Sequence, residues 1–275
     1  MIFDCFTYFN DDLITELRLN ILDKYVDKFI IVEATTDHSG KKKNLNFDLN
    51  KFSSFKKKIR YIIVDDLPKN TKPFYYNKRM WHENMVREEY QRNQIMRGLF
   101  DAKDEDLVII SDNDEIPNLK NLSDIKFKRY AVFNQKFYKY KINLLSENQT
   151  PYQGSRIIRK RYLKNKITPQ WLRYQYTKRI KFWQIHRHFT NPTIVEDGGW
   201  HFSFVISPEK ISYKMSAYGH GELNTKKFTD AEYIRSKIES QRDFISDTLL
   251  KKVEIDNSFP DYIIKNKEKF REFII

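Results

Sequence analysis

The stretch "IISDNDEIPN", residues 109–118, decides how the rest of the chain reads. Val108, Ile109 and Ile110 lead into Ser111; then Asp112, Asp114 and Glu115 arrive within four positions and Pro117 ends the run. β-Branched residues pack well on a pleated, buried surface, so "DLVIIS" (106–111) reads as a buried strand and the acids stand at its carboxyl end. Two aspartates one residue apart on an extended or turning segment can aim oxygens at one point, and oxygen ligands suit Mg²⁺ or Mn²⁺.

Working outward, strands and helices alternate on the amino-terminal side. "IFDCFTYF" (2–9), "KFIIVEATT" (28–36) and "RYIIVDD" (60–66) read as strands. "DDLITELRLNILDKYV" (11–26) carries Leu13, Ile14, Leu17, Ile21 and Leu22 at helical spacing, with acids in its first turn. "FDLNKFSSFKKKI" suggests a short helix, and "WHENMVREEYQRNQIMRGLF" (81–100) a longer one. This alternation argues an α/β fold, with a mostly parallel central sheet flanked by helices on both faces. In open α/β sheets the ligand binds outside the carboxyl ends of the strands. Glu33, Asp65, Asp66, Asp112 and Asp114 all end strands, so they fall at that edge.

The 81–100 helix adds a second signal. At about 100° per residue, Arg92 shares an apolar face with Met85, Met96 and Leu99. A buried arginine needs an anion. Either a core carboxylate supplies it, or Arg92 faces a nucleotide pocket. Arg18 shares a face with Ile14, Leu22 and Tyr25 and reads as a structural ion pair.

The 275 residues suit one domain with a sizeable core. A net charge of +13 favours anionic partners, although a solvated lysine-rich surface gives the same number. Cys5 is the single cysteine, which excludes an intrachain disulfide and a cysteine-based zinc site. "MIFDCFTYFNDD" lacks the basic start of a signal peptide, and no run approaches the roughly 18 apolar residues of a spanning helix. The expectation is a soluble, cytoplasmic protein with no transmembrane segment, which leaves room for peripheral membrane contact.

The second half is more irregular. "RYAVFNQKFYKYKINLL" (129–145) reads as paired strands and "RIIRKRYLKNK" (156–166) as a basic cluster. "IVEDGGWHFSFV" (194–205) sets Glu196, Asp197 and His201 around two glycines, and "AYGHGELNT" (217–225) places His220 and Glu222 in a glycine-flanked loop. "TDAEYIRSKIESQRDFIS" (229–246) is an amphipathic helix with Thr229 as N-cap.

The ordered set "FDCFTYFNDDLITELRLNIL", "FIIVEATTDHSGKKKNLNF", "YQRNQIMRGL", "DLVIISDNDEIP" and "GGWHFSF" resembles the blocks of glycosyltransferase family 17, on the pattern of the nucleotide-sugar domain of GT-A fold enzymes. That family includes β-1,4-mannosyl-glycoprotein β-1,4-N-acetylglucosaminyltransferases. The resemblance implies a GT-A type, Rossmann-like sheet in a single domain over 1–275. Residues 1–120 would bind the nucleotide sugar, and 121–275 would form the acceptor side with the carboxyl-terminal helices. It further implies a metal-dependent inverting transferase that moves GlcNAc from UDP-GlcNAc, with Mn²⁺ or Mg²⁺, to a glycan or polysaccharide. On this pattern Asp112 and Asp114 hold the metal and, through it, the diphosphate. Glu33 lies near the nucleoside, Arg92 on the donor side, and Lys41 to Lys43 beside the nucleotide. His201 is a further metal or diphosphate contact and His220 a donor-side contact. Asp197 is the expected base, followed by Glu196, with Glu222 as competitor.

Two other classes stay open from sequence. A two-metal phosphoryl-transfer enzyme or nuclease also clusters acids under a basic surface, but too few acids converge here, so nucleic acid is not the expected partner. A non-catalytic sugar-nucleotide-binding protein would keep the fold without turnover.

Overall fold

The computed structural model describes residues 1–69, 71–72, 74–76, 79–81, 83–127, 129–164, 166–175, 192–217 and 225–275, with backbone alone for 74–76 and 79–81. The first half runs β1 (Ile2–Thr7), α1 (Asp12–Leu22), β2 (Lys28–Ala34), β3 (Ile59–Val64), β4 (Phe74–Tyr76), β5 (Arg79–Trp81), α2 (Glu83–Asn93), β6 (Leu107–Asp112) and β7 (Glu115–Pro117). The second runs β8 (Tyr130–Lys139), β9 (Leu144–Leu145), β10 (Tyr152–Arg159), α3 (Pro169–Arg173), β11 (Thr193–Val195), β12 (Gly199–Ser203), α4 (Pro208–Ala217), α5 (Ala231–Glu239), β13 (Lys251–Lys252) and α6 (Asp261–Lys265).

The central sheet has the order β13-β9-β8-β10-β6-β1-β2-β3. The block β6-β1-β2-β3 is parallel, as expected. Beyond it the sheet is mixed: β10 runs antiparallel to both β6 and β8, and β9 antiparallel to β8. The expected mostly parallel sheet is thus corrected for its second half. No α-helix lies between β8 and β10, and without a helical crossover the chain returns antiparallel. β12 adds to the carboxyl-terminal half of β8 in parallel and pairs β7 antiparallel.

Side chains alternate across β1 and build a core on each face. Phe6 joins α1 residues Ile14 and Leu17, while Phe3 and Cys5 join Ile95 and Leu99 behind α2. A third cluster under α4 and α5 gathers Ile211, Met215, Ile234 and Phe244. Gly98 belongs where it is, since a Cβ there would sit 2.3 Å from Ile30 Cγ2. The long second helix expected from sequence ends at Asn93 and continues as a 3-10 turn over Gln94–Leu99. The segment 49–55 is likewise 3-10. Asp230, rather than Thr229, caps α5, with its side chain accepting from the first-turn amides of the helix. Its Oδ1 takes the amide of Glu232 at 2.8 Å and that of Tyr233 at 3.1 Å. No helix among the described residues is long and apolar enough to cross a membrane.

The connections of the parallel block position a site. From β1 the chain moves outward to β2 and β3, then returns through α2 to β6 on the other side of β1. The strand order therefore reverses between β1 and β6, and it is outside the carboxyl ends at such a reversal that open α/β sheets form their ligand crevice. Asp11 follows β1 there, and Asp112 to Glu115 follow β6.

Candidate active site

The turn after β6 is shaped by Arg18, which is fully buried on α1. Its Nε and Nη2 grip Asp4 at 2.7 and 2.6 Å, and its Nη1 donates to the carbonyls of Asp112, Asn113 and Glu115 at 3.1, 3.2 and 2.7 Å. This is the structural ion pair expected at Arg18, with the added task of folding the acidic turn. Asn113 Nδ2 donates to Thr15 Oγ1 at 3.0 Å, and the Asp112 amide to Glu115 Oε2 at 3.1 Å, which fixes the side chains on either side.

Asp112 lies between two guanidiniums. Arg92 Nη2 donates to its Oδ1 at 2.7 Å and Arg173 Nη2 to its Oδ2 at 2.9 Å. Burial works to raise this carboxyl, but the arginines outweigh it and hold it far below the usual carboxylate range. Arg92 also donates to Glu88 at 2.9 Å and to Gln170. Of the two alternatives for Arg92, the structure shows the ion pair, and its anion is the aspartate of the motif itself. Its neighbour Asn93 accepts from the Gln170 amide at 3.0 Å. That bond docks α3, which carries Arg173 to Asp112 and to the fully buried Glu115. Burial raises the Glu115 carboxyl, with Arg173 opposing.

Asp114 points to the other wall. Its Oδ2 lies 3.4 Å from His201 Nε2 and 4.0 Å from Lys214 Nζ. The His201 ring is wedged against Phe137 and Tyr152, centroids 4.4 and 4.6 Å away. Burial would raise Asp114, yet His201 and Lys214 prevail and lower it. Lys214 Nζ also lies 3.8 Å from Asp11 Oδ2. Asp11 is buried, and this pushes its carboxyl up to about 6 against the pull of Lys214. Among the described residues, Asp11 Oδ1 and His201 Nδ1 are buried with no hydrogen-bond partner.

The remaining expected site residues fall elsewhere. Glu33 is fully buried and accepts from Lys43 Nζ at 2.5 Å, the Asn46 and Phe47 amides at 2.9 and 3.0 Å, and Tyr61 Oη at 2.8 Å. It organises the 43–47 loop and engages Lys43; Lys41 and Lys42 are not drawn into that pairing. Glu196 accepts from Asn134 Nδ2 at 2.9 Å, and Asp197 from Asn118 Nδ2 at 3.4 Å. In the register His201↔Glu115 and Gly199↔Pro117, these acids precede β12 at its end away from Glu115. The structure does not bring them to Asp112 and Asp114. The adjacent glycines serve backbone contact instead, where a side chain would collide with a neighbouring strand. A Cβ at Gly198 would meet the Asn134 amide nitrogen at 2.7 Å, and one at Gly199 the Ile116 carbonyl at 2.2 Å. His220 and Glu222 lie outside the described residues.

Sequence reasoning missed Asp11, Arg173 and Lys214. Lys214 had a signal, since it sits on α4 beside buried Ile211 and Met215, a cation on an apolar face. Asp11 read only as a first-turn acid, and Arg173 lies on a helix of five residues with no periodicity to read.

No group of three or more His, Cys, Asp or Glu side chains able to hold a metal ion occurs among the described residues. Asp112 has both oxygens engaged by arginine, which leaves Asp114 and His201 as neighbouring donors. One carboxylate and one imidazole fit a divalent ion that takes its other ligands from a diphosphate and water.

A crevice at a strand-order reversal, walled by paired carboxylates and fixed cations, suits a phosphorylated group-transfer substrate, and the residues of the acidic turn fall in a longer stretch of known kind. Residues 1–140, half of the 275-residue chain, match the family model of Glycosyltransferase family 17, so the protein is a glycosyltransferase. It belongs to glycosyltransferase family 17. No curated protein and no solved structure matches the chain.

Proposed function

We propose that the protein moves N-acetylglucosamine from UDP-GlcNAc, with inversion, to a hydroxyl of a glycan or polysaccharide, on a GT-A type framework and with Mn²⁺ or Mg²⁺. The observation that carries this reading is the pairing of Asp114 with His201 at 3.4 Å, across from Asp112 and its arginines, in the crevice between β1 and β6. Asp114 and His201 would hold the ion, which neutralises charge on the donor diphosphate. Arg173 and Lys214 pair with the same two aspartates, and as fixed cations they would stabilise the charge that the leaving diphosphate gains. Arg92, clamped by Glu88 and Gln170, keeps Asp112 ionised and oriented.

A carboxylate must take the proton of the acceptor hydroxyl. Position favours Asp11, which stands beside the acidic turn with one oxygen unpartnered among the described residues. Asp197 and Glu196, preferred on sequence, sit beyond the far end of β12, and Glu222 remains the competitor, eight residues beyond Lys214 in the chain. Thermal melts with a panel of nucleotide sugars, with and without Mn²⁺, test the donor and the ion together, because a ligand of the folded state raises Tm by mass action. UDP-GlcNAc with Mn²⁺ should give the largest rise. A larger rise with another nucleotide sugar reassigns the donor, and equal rises without any divalent ion remove the metal.

A further inference from the structure

A concavity of about 950 Å³ lies at the amino-terminal end of β6, away from the acidic turn. Its lining includes apolar Met96, Leu163 and Ile167. Its rim is cationic: Arg129, Arg161, Lys164 and Lys166 face a single acid, Asp104. Arg129 and Arg161 place their guanidiniums over the Tyr162 ring, 5.6 and 5.0 Å from its centroid, where the negative face of the ring attracts them. Arg161 also pairs with Glu105. Among the described residues no ion pair involves Arg129, Lys164 or Lys166.

Asp104 precedes β6, Arg129 precedes β8 and Arg161 follows β10, and the strand registers bring all three to the amino-terminal end of β6, opposite Asp112, with α3 running between the two ends. Thr168, on the cavity wall, caps the five-residue helix α3. Arg173, at the other end of that short helix, holds Asp112 at 2.9 Å. Met96, also in the lining, lies four residues after Arg92. A volume near the upper end for ligand pockets, roughly 300–1,000 Å³, accommodates several sugar units. Apolar side chains suit the C–H faces of sugars, and guanidinium forks suit carboxylates and phosphates, which they engage in bidentate fashion. Stacking of nucleic-acid bases needs a free aromatic face; Tyr162 is already covered by two guanidiniums, so the lining favours sugar over base.

We propose that this cavity is a remote subsite that holds part of an anionic glycan acceptor, one whose sugars carry carboxylate or phosphate groups. The proposal rests on the transferase reading given above and adds the charge class of its acceptor.

The test is direct binding by the full chain, followed by fluorescence anisotropy. The probes are labelled tetragalacturonate, its neutral methyl ester, a pentamannose bearing one 6-phosphate, and a 12-nucleotide RNA. The variants are Arg129→Ala/Lys164→Ala/Lys166→Ala and, with equal charge loss on remote lysines, Lys56→Ala/Lys57→Ala/Lys252→Ala. One or both anionic glycans should bind the native protein at least about tenfold, or ~1.4 kcal/mol, tighter than the neutral ester. The cavity variant should lose that preference and the remote variant keep it. Which glycan binds tells carboxylate from phosphate. Equal binding of charged and neutral glycans overturns the proposal, as does equal loss in the two variants. RNA binding tighter than either glycan, with the same dependence on the cavity residues, overturns it in favour of a nucleic-acid site. Binding of UDP-GlcNAc with Mn²⁺, measured in parallel, should be the same in all three proteins; its absence from the native protein would sink the transferase reading separately.

Discussion

Arg18→Met is the most informative perturbation of the scaffold. Arg18 and Asp4 have side chains with no solvent exposure, and Arg18 is bound besides to three carbonyls of the acidic turn. Removing one partner of a buried ion pair costs roughly 3–5 kcal/mol, because the other charge is left uncompensated. That is a large share of the ~5–15 kcal/mol that holds a typical protein folded. At about 2–4 °C per kcal/mol for a large domain, Tm should fall by roughly 6–20 °C. A second variant separates charge from shape. Arg18→Met with Asp4→Leu leaves no stranded carboxylate, so most of the stability should return, since apolar replacement of a buried pair is often neutral. The carbonyls of Asp112, Asn113 and Glu115 still lose their common donor, so the turn loosens and donor affinity should stay low. Thermal melts beside a titration with UDP-GlcNAc and Mn²⁺ read both quantities. The reasoning fails if the single variant melts within about 2 °C of the native protein, or if the double variant binds donor as tightly as the native protein.

Other outcomes follow from the same geometry. Lys139 pairs with Asp243 at 2.5 Å beside the third cluster. Lys139→Met strands that aspartate and should cost roughly 3–5 kcal/mol in denaturant melts with donor affinity intact. Burial would raise Asp243, but Lys139 holds it below the ordinary carboxylate range, so its contribution is present at neutral pH and lost as pH falls through the folded value. The cost of Lys139→Met should therefore shrink as pH drops toward and below about 4. Gly98→Ala presses a methyl into Ile30 and should cost about 1–3 kcal/mol in the same melts, again without effect on the donor. For the base, single-turnover rates at saturating donor should collapse in Asp11→Asn while donor affinity holds, and should stay near native in Asp197→Asn and Glu196→Gln. A collapse in Glu222→Gln alone moves the role to the 218–224 segment.

The parallel half of the fold was legible because β2, β3 and β6 carry β-branched runs with acids at or just beyond their carboxyl ends, and because helical spacing separates them from one another and from β1. The antiparallel half was harder. Its strands β8 and β10 mix polar and charged residues into a largely buried setting, and their partners are set by a chain reversal that periodicity does not encode. At the site, Asp112 and Asp114 stood out because acids after a buried strand are costly unless used. Arg92 stood out as a cation on an apolar face, and its partners are the carboxylates of Asp112 and Glu88. Asp197 attracted notice through Gly198 and Gly199, whose small size is real but serves the crossing of β7, β8 and β12. Glu33 ended a strand like the others, yet its loop folds back on it. A residue's place at the ligand edge follows from sequence; whether its oxygens face the ligand or its own loop depends on contacts far along the chain.

The central claim is that Asp114 with His201 binds the donor through a divalent ion. Isothermal titration of UDP-GlcNAc into the native protein and into Asp114→Asn, each with Mn²⁺ and with EDTA, tests it most directly. Binding by the native protein should depend on Mn²⁺, and Asp114→Asn, whose melt stays near native, should show none. Binding of equal affinity by both proteins, or binding by the native protein that EDTA leaves unchanged, would contradict it.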